Sequence, residues 1–308
     1  MPTPISLFDY NLPPEQIAQV SVSPRDSSRM LVLDRKTGDR THKVFREIVD
    51  ELVAGDVLVM NNTKVFKARL SGTVSVRGKK IEIEVFLLRG DGTRWSAMVR
   101  PGKKVAVGEW IDLRGMVAVV LEKRADGVVT LEMNATIDEV IAFANAHGEI
   151  PVPPYVDRSP EKLDDYQTVY AKTVGSVAAP TAGFHFTDEL IATLKAKGVQ
   201  FEFVTLHVGI GTFRPVKTDT LEEHEMHAEF VTVDAETAER IRGAKREGRR
   251  IVAVGTTTVR VLEGVAAQSG GAIPSDGFSG DVNLFITPGF EFKVIDALIT
   301  NFHPPKST

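Results

Sequence analysis

The apolar positions of this chain change period twice, and the changes divide it. The first 60 residues alternate strand and helix. "RMLVLDR" reads as a short apolar strand and "KTGD" as a turn, with Gly38 free to take positive φ. "VFREIVDELV" spaces Val44, Ile48 and Leu52 along one helical face that Gly55 ends, and "DVLVMN" follows as a buried strand. From Asn62 to about Asn134 the period becomes two. "KARLSGTVSV", "KKIEIEVFLLR", "RWSAMVR", "VAVVLEK" and "GVVTLEMN" are β-rich, and turns such as "RGDGT", "RPGKK" and "RADG" separate most of them. Short strands at this spacing predict a small sandwich or barrel. Helical pattern then returns, and "HGEIPVPPYVDRSP" reads as a linker, its prolines favouring extended backbone.

The third stretch is α/β again. "TDELIATLKAKG" is a helix: Thr187 is its N-cap, acids fill the first turn, Leu190, Ile191 and Leu194 form its buried stripe, and Gly198 stops it. In "QFEFVTLHV", Phe201, Phe203, Thr205 and His207 share one face of a strand, and Val204, Leu206 and Val208 the other. "DAETAERIRGAKREG" is helix, "RRIVAVG" strand and "TTTVRVLEGVAAQ" helix, with "VNLFIT" and "VIDALITNF" the last apolar segments. The expected architecture is a discontinuous α/β domain, residues 1–60 and 150–308, interrupted by an inserted all-β barrel at 61–149.

Composition adds limits. Two domains suit 308 residues, and the chain has no cysteine, so disulfides and thiolate metal sites are excluded. The N-terminus shows no basic region followed by an apolar stretch, and no apolar run reaches the roughly 18–20 residues of a membrane span. A soluble, cytoplasmic protein is expected. Net charge is −4, yet residues 61–104 hold 11 basic and 3 acidic side chains, a local excess of +8. Such a segment is either a solvated β surface or a phosphate-binding one.

Candidate chemistry gathers in the second α/β stretch. In "IVAVGTTTVRVLE" a strand ends at Gly255, and a helix starts whose first N–H groups are unpaired and partly positive. Gly255 permits close approach, the threonines offer donors, and Arg260 lies one turn on: the outline of an anion or polar-ligand site, or simply a capped helix. The second glycine and the lysine of a phosphate loop are absent. "HVGIGTFRPV" places Gly209 and Gly211 at a strand's carboxyl end but lacks the rest of a dinucleotide fingerprint. "LEEHEMHAEF" holds His224 and His227 three apart, not four as in the zinc-hydrolase helix pattern. "AAPTAGFHF" sets His185 between Phe184 and Phe186 ahead of a helix, which is either core packing with a helix entry or a binding wall for a flat, charged ligand. Read as extended, it would pack Phe184 and Phe186 and turn His185 to a cleft.

Taken in order, "SPRDSSRMLVLDR", "NNTKVFKARL", "PTAGFHF", "VTLHVGIGTFRPV", "EEHEMHAEF", "VGTTTVRVLE" and "NFHPPKST" resemble the S-adenosylmethionine:tRNA ribosyltransferase-isomerase family of queuosine synthesis, from about Leu7 onward. Pro305 departs from the family's usual residue there, and relatives continue past the position of Thr308 with an apolar helix, on which the resemblance makes the hold on His303 depend. The resemblance implies an α/β domain with an inserted barrel, S-adenosylmethionine as co-substrate without a metal, and a tRNA anticodon stem-loop bearing 7-aminomethyl-7-deazaguanine at the wobble position as partner. Products are epoxyqueuosine-tRNA, adenine and methionine. A monomer with no membrane association is expected.

Sulfonium-driven proton loss, adenine departure and amine attack call for imidazoles, aromatic faces and anion-stabilising donors. His185, His207, Arg260 and His303 are therefore the candidate catalytic residues. Thr181, Phe184, Gly209, Gly211, Thr212, Gly255, Thr256 and Thr257 are the candidates for binding the co-substrate. Arg25, Arg29, Lys64, Arg69, Lys79, Lys80, Arg100, Lys103 and Lys104 are those for RNA. Two alternatives stand beside this reading: a metal-dependent hydrolase using a histidine cluster, and a non-catalytic RNA-binding relative.

Overall fold

The structure is a computed structural model that describes residues 2–153, 156, 159–209, 216 and 218–307. Gly211, Thr212 and part of the proline-rich linker lie outside these residues.

Six strands form the main sheet: β3 (Val57–Asn61), β12 (Gln200–Leu206), β13 (Glu229–Val233), β14 (Ile251–Val254), β15 (Phe278–Val282) and β16 (Ala297–Ile299). Their order is β15-β13-β12-β3-β14-β16. β12, β3, β14 and β16 run parallel, while at one side β13 pairs antiparallel with β12 and β15 antiparallel with β13. Central β3 shows why a parallel strand reads as a continuous apolar run. Val57 and Val59 pack toward α4 (Ala235–Arg246) and α5 (Thr256–Gln268). Leu58 and Met60 point to the opposite layer, with α1 (Ile48–Glu51) and α3 (Asp188–Ala196). Burying each of these side chains contributes roughly 1.5–3 kcal/mol.

Between β3 and β12 the chain builds a closed antiparallel barrel in the order β10-β7-β6-β5-β8-β9. Its strands are β5 (Arg69–Val76), β6 (Lys79–Asp91), β7 (Arg94–Arg100), β8 (Trp110–Asp112), β9 (Val117–Lys123) and β10 (Val128–Met133). Closure removes the exposed edges that so many short strands would otherwise leave. α2 (Ile137–His147), capped by Thr136, buries Val140 and Ala144 against the barrel core. At the junction with the main sheet, β4 (Thr63–Val65) pairs in parallel with β11 (Thr173–Ser176).

Three local expectations change. The helix predicted from Val44 starts later, because β2 (Arg40–Val44) pairs with β1 (Arg29–Leu33) up to Val44 itself. The Glu47 carboxylate then accepts the Val44 N–H at 2.6 Å, and only one α-turn follows. Ile48 and Leu52 of the predicted stripe are buried, while Val44 is half-buried on β2 and Phe45 takes the third buried place. "VNLFIT" contributes only Val282 to β15, since the partner β13 begins at Glu229, opposite Val282. "TAGFH" is a 3-10 turn over Thr181–His185, not an extended run. Gly183 lets Tyr170 pack onto that turn, because a Cβ there would clash with the Tyr170 hydroxyl.

Candidate active site

Because β3, β12, β14 and β16 are parallel, their carboxyl ends share one edge, which is where open α/β sheets bind ligands. At this edge Gly255 takes φ 87° and ψ 148° and, having no side chain, leaves the α5 start uncapped. Thr258 turns inward and donates to the Val254 carbonyl at 2.7 Å. Thr256 and Thr257 line a cavity of about 890 Å³ instead. Asn61, at the end of β3, bonds both backbone groups of Leu206 (3.1 and 3.0 Å) and approaches the Thr257 hydroxyl at 3.5 Å. The first N–H groups of α5 and these hydroxyls suit a carboxylate or other anion.

Arg260, Glu229, His227 and His303 line the same cavity, and Phe285, Phe292 and Leu298 supply apolar wall. Arg260 Nη1 lies 3.1 Å from Glu229 Oε2, and its Nη2 donates to the His227 carbonyl. Glu229 Oε1 accepts the Gly209 N–H at 3.2 Å. Burial raises the proton affinity of Glu229, opposed by the attraction of Arg260 and the Gly209 hydrogen bond. Burial likewise lowers the pKa of Arg260, opposed by Glu229. The volume, the aromatic wall and the polar rim are those of a small-molecule site.

His185 and His207 do not line this cavity. His185 packs on Phe45, ring centroids 5.1 Å apart, and hydrogen-bonds to the Asn301 side chain and the Arg25 backbone. Burial lowers its pKa, and those two hydrogen bonds oppose the shift. His207, just beyond β12, holds its Nδ1 2.8 Å from Thr63 Oγ1. Burial, with a smaller contribution from Arg89, lowers its pKa. Asn301 stands two residues before His303, so His185 meets the polypeptide that leads to the cavity. Thr181 and Phe184 belong to the His185 side: the Phe184 ring packs on Tyr166 at 5.6 Å and lies under Arg25 at 5.4 Å. Gly209 reaches the site through its bond to Glu229.

Of the basic candidates, Arg25 donates to the Gln167 carbonyl at 2.6 Å, Arg69 pairs with Glu84 at 3.0 Å, and Lys64 is half-buried on β4. Arg29 is exposed at the start of β1. Lys79, Lys80, Arg100, Lys103 and Lys104 are exposed. The registers Ser75↔Lys80, Glu84↔Arg100 and Val129↔Lys123 gather them at one end of the barrel. The 124–127 turn lies at that end too, and its Asp126 lines the cavity. His224 stacks on Phe285 at 5.3 Å. Among the described residues no group of three or more His, Asp or Glu is placed to hold a metal ion.

Glu229, Asn301, Thr63 and Asn61 are absent from the sequence-level candidates. Glu229 carried a usable signal: in "EFVTV" it occupies the buried phase with Val231 and Val233, an acid where an apolar residue is expected. The others are small polar residues whose partners are distant in sequence.

A crystal structure of the S-adenosylmethionine tRNA ribosyltransferase of Thermotoga maritima is similar over 97% of this chain and 86% of that chain, at 40% identity and a TM-score of 0.52. The family model described as queuosine biosynthesis protein matches residues 5–308. The chain therefore belongs to the queuosine biosynthesis protein family.

Proposed function

We propose that this chain transfers and isomerises the ribosyl group of S-adenosylmethionine onto 7-aminomethyl-7-deazaguanine at the tRNA wobble position, giving epoxyqueuosine-tRNA, adenine and methionine. The family membership and the ribosyltransferase relative support the reaction. The observation that carries the assignment to a place is the uncapped start of α5, with Thr256, Thr257, Arg260, Glu229 and His303 around one cavity.

S-adenosylmethionine supplies an activated sulfonium and a ribosyl group to that cavity. The α5 amides and the Thr256 and Thr257 hydroxyls suit its carboxylate, and the aromatic wall suits its cation and its adenine. Arg260 is held by Glu229, so its role is to fix the charge pattern of the wall. His303, which lines the cavity, is the candidate for proton transfer there. His185 and His207 flank the same sheet edge as positioning groups that act through Asn301 and Thr63. The basic barrel end contacts the stem-loop phosphates, and residues 61–149 act as the RNA-binding unit beside the catalytic domain of 1–60 and 150–308. The protein works in the cytoplasm as a monomer and requires no metal; among the described residues no helix is long and apolar enough to cross a membrane.

The test is chromatography of a reaction with precursor-bearing tRNA, treated with a chelator and free of nucleoside triphosphate. Adenine and methionine are expected in a one-to-one ratio. S-adenosylhomocysteine as the main product would mean methyl transfer, and no product without added metal would return the hydrolase-type alternative.

A further inference from the structure

We infer that Glu229 forms the subsite for the primary ammonium of the target base, binding that cation at the cavity wall and taking its proton so that the amine nitrogen becomes a nucleophile. The inference rests on the transferase reading above.

Two carboxylates are found among the described residues of the cavity wall, Glu229 and Asp126. Asp126 is committed within its barrel turn, pairing with Arg124 at 2.8 Å and accepting the Val128 N–H at 3.0 Å. Glu229 is 8% exposed, and each of its oxygens accepts one contact, from Gly209 N–H and from Arg260. An ionised carboxylate has about four acceptor positions, so among the described residues two remain. The position itself is informative. Glu229 occupies the phase of β13 that Val231 and Val233 use for packing. Apolar residues in place of a buried ion pair are often as stable or more so, so the pair is poorly explained by stability.

The ligand's chemistry supplies the explanation. An aliphatic primary amine, like that of lysine with a pKa of about 10.4, is an ammonium at neutral pH and has no lone pair. Imidazoles on the wall can accept a proton but do not attract a cation, whereas a buried carboxylate does both. The charged and titratable groups facing Glu229 are Arg260 on α5 and His227 just before its own strand, while His224, His303 and Lys306 line the cavity beyond them. Burial brings the proton affinity of Glu229 closer to that of the amine. In the step, one N–H bond of the ammonium breaks and one O–H bond forms on Glu229. The pair left on nitrogen is the lone pair that makes the amine a nucleophile, and Glu229 later gives its proton to water.

Two measurements test this. The first uses the wild-type protein alone, comparing its affinity for a stem-loop bearing the 7-aminomethyl base with that for one bearing the neutral 7-cyano analogue. A preference of about tenfold or more for the ammonium is expected, fading as Glu229 is protonated at acid pH. No preference would overturn the inference without any need for a variant. The second follows kcat/KM against pH for Glu229→Gln, which keeps the side-chain volume. Turnover at neutral pH should fall by about 10²–10³-fold, recover as pH approaches the amine's own pKa, and leave S-adenosylmethionine affinity within about threefold. A loss equal at every pH would make Glu229 a support for Arg260 only and would overturn the inference. A wild-type protein that releases no adenine would instead refute the transferase reading itself.

Discussion

Two imidazoles give the residue scale its pH dependence. Burial holds the pKa values of both His185 and His207 below the usual 6.5. The folded protein therefore takes up these protons later than the unfolded chain does. The stability linked to them is present above about pH 6.5 and is lost as pH falls through the lowered values. Urea melts between pH 8 and pH 5 should show wild-type stability dropping and a His185→Gln/His207→Gln variant dropping less. Parallel curves would mean that neither ring is buried as neutral imidazole. Single residues were legible in the sequence where their partner is local. Thr187 accepts the Leu190 N–H at 3.1 Å, as its place before an apolar stripe predicts. The Arg260–Glu229 pair was half visible: the arginine stands one turn into a helix and announces itself, while its carboxylate is 31 residues away on a strand. His185 was read in the wrong backbone state, since "TAGFH" is a turn onto which the bare Gly183 lets the distant Tyr170 pack.

At the scale of elements, the start of α5 is the feature on which the proposed binding site depends. Gly255 combines φ 87° with ψ 148°, a region that essentially only glycine occupies. Space is not the constraint, because a Cβ there would meet nothing closer than Thr257 Oγ1 at 3.5 Å. Gly255→Ala is therefore expected to cost about 1–3 kcal/mol in a urea melt and to weaken S-adenosylmethionine binding by calorimetry, as the Thr256 and Thr257 amides turn away. Unchanged affinity would place the co-substrate elsewhere. α3, α4, α5 and β12 were legible because each carries its own periodicity, to which Thr187 and Asp234 add caps for α3 and α4. The helix expected from Val44 was not, because strand pairing with Arg29 competes for the same residues, and a local pattern does not contain that partner.

For the whole molecule, the consequential arrangement is a barrel whose basic end shares the 124–127 turn with the cavity rim. The change of period at Asn62 made the barrel visible. Its closure and its orientation depend on pairings such as β10 with β9 and on contacts such as Arg89 with Asp281 at 3.2 Å, which no local pattern encodes. Exchanging Lys79, Lys80, Lys103 and Lys104 for glutamine should weaken stem-loop binding and flatten its salt dependence, by roughly 0.7–0.9 in log–log slope for each lost phosphate contact. An unchanged slope would move the RNA to another face. The central claim is that the ribosyl carbons of the co-substrate end up on the wobble base. The direct measurement is mass spectrometry of nucleosides from tRNA treated with S-adenosylmethionine labelled with ¹³C throughout its ribose. The account predicts all five labelled carbons in the modified base, with unlabelled adenine and methionine released. Ribose-labelled S-adenosylhomocysteine or another labelled nucleoside product, with no label in the tRNA, would contradict it.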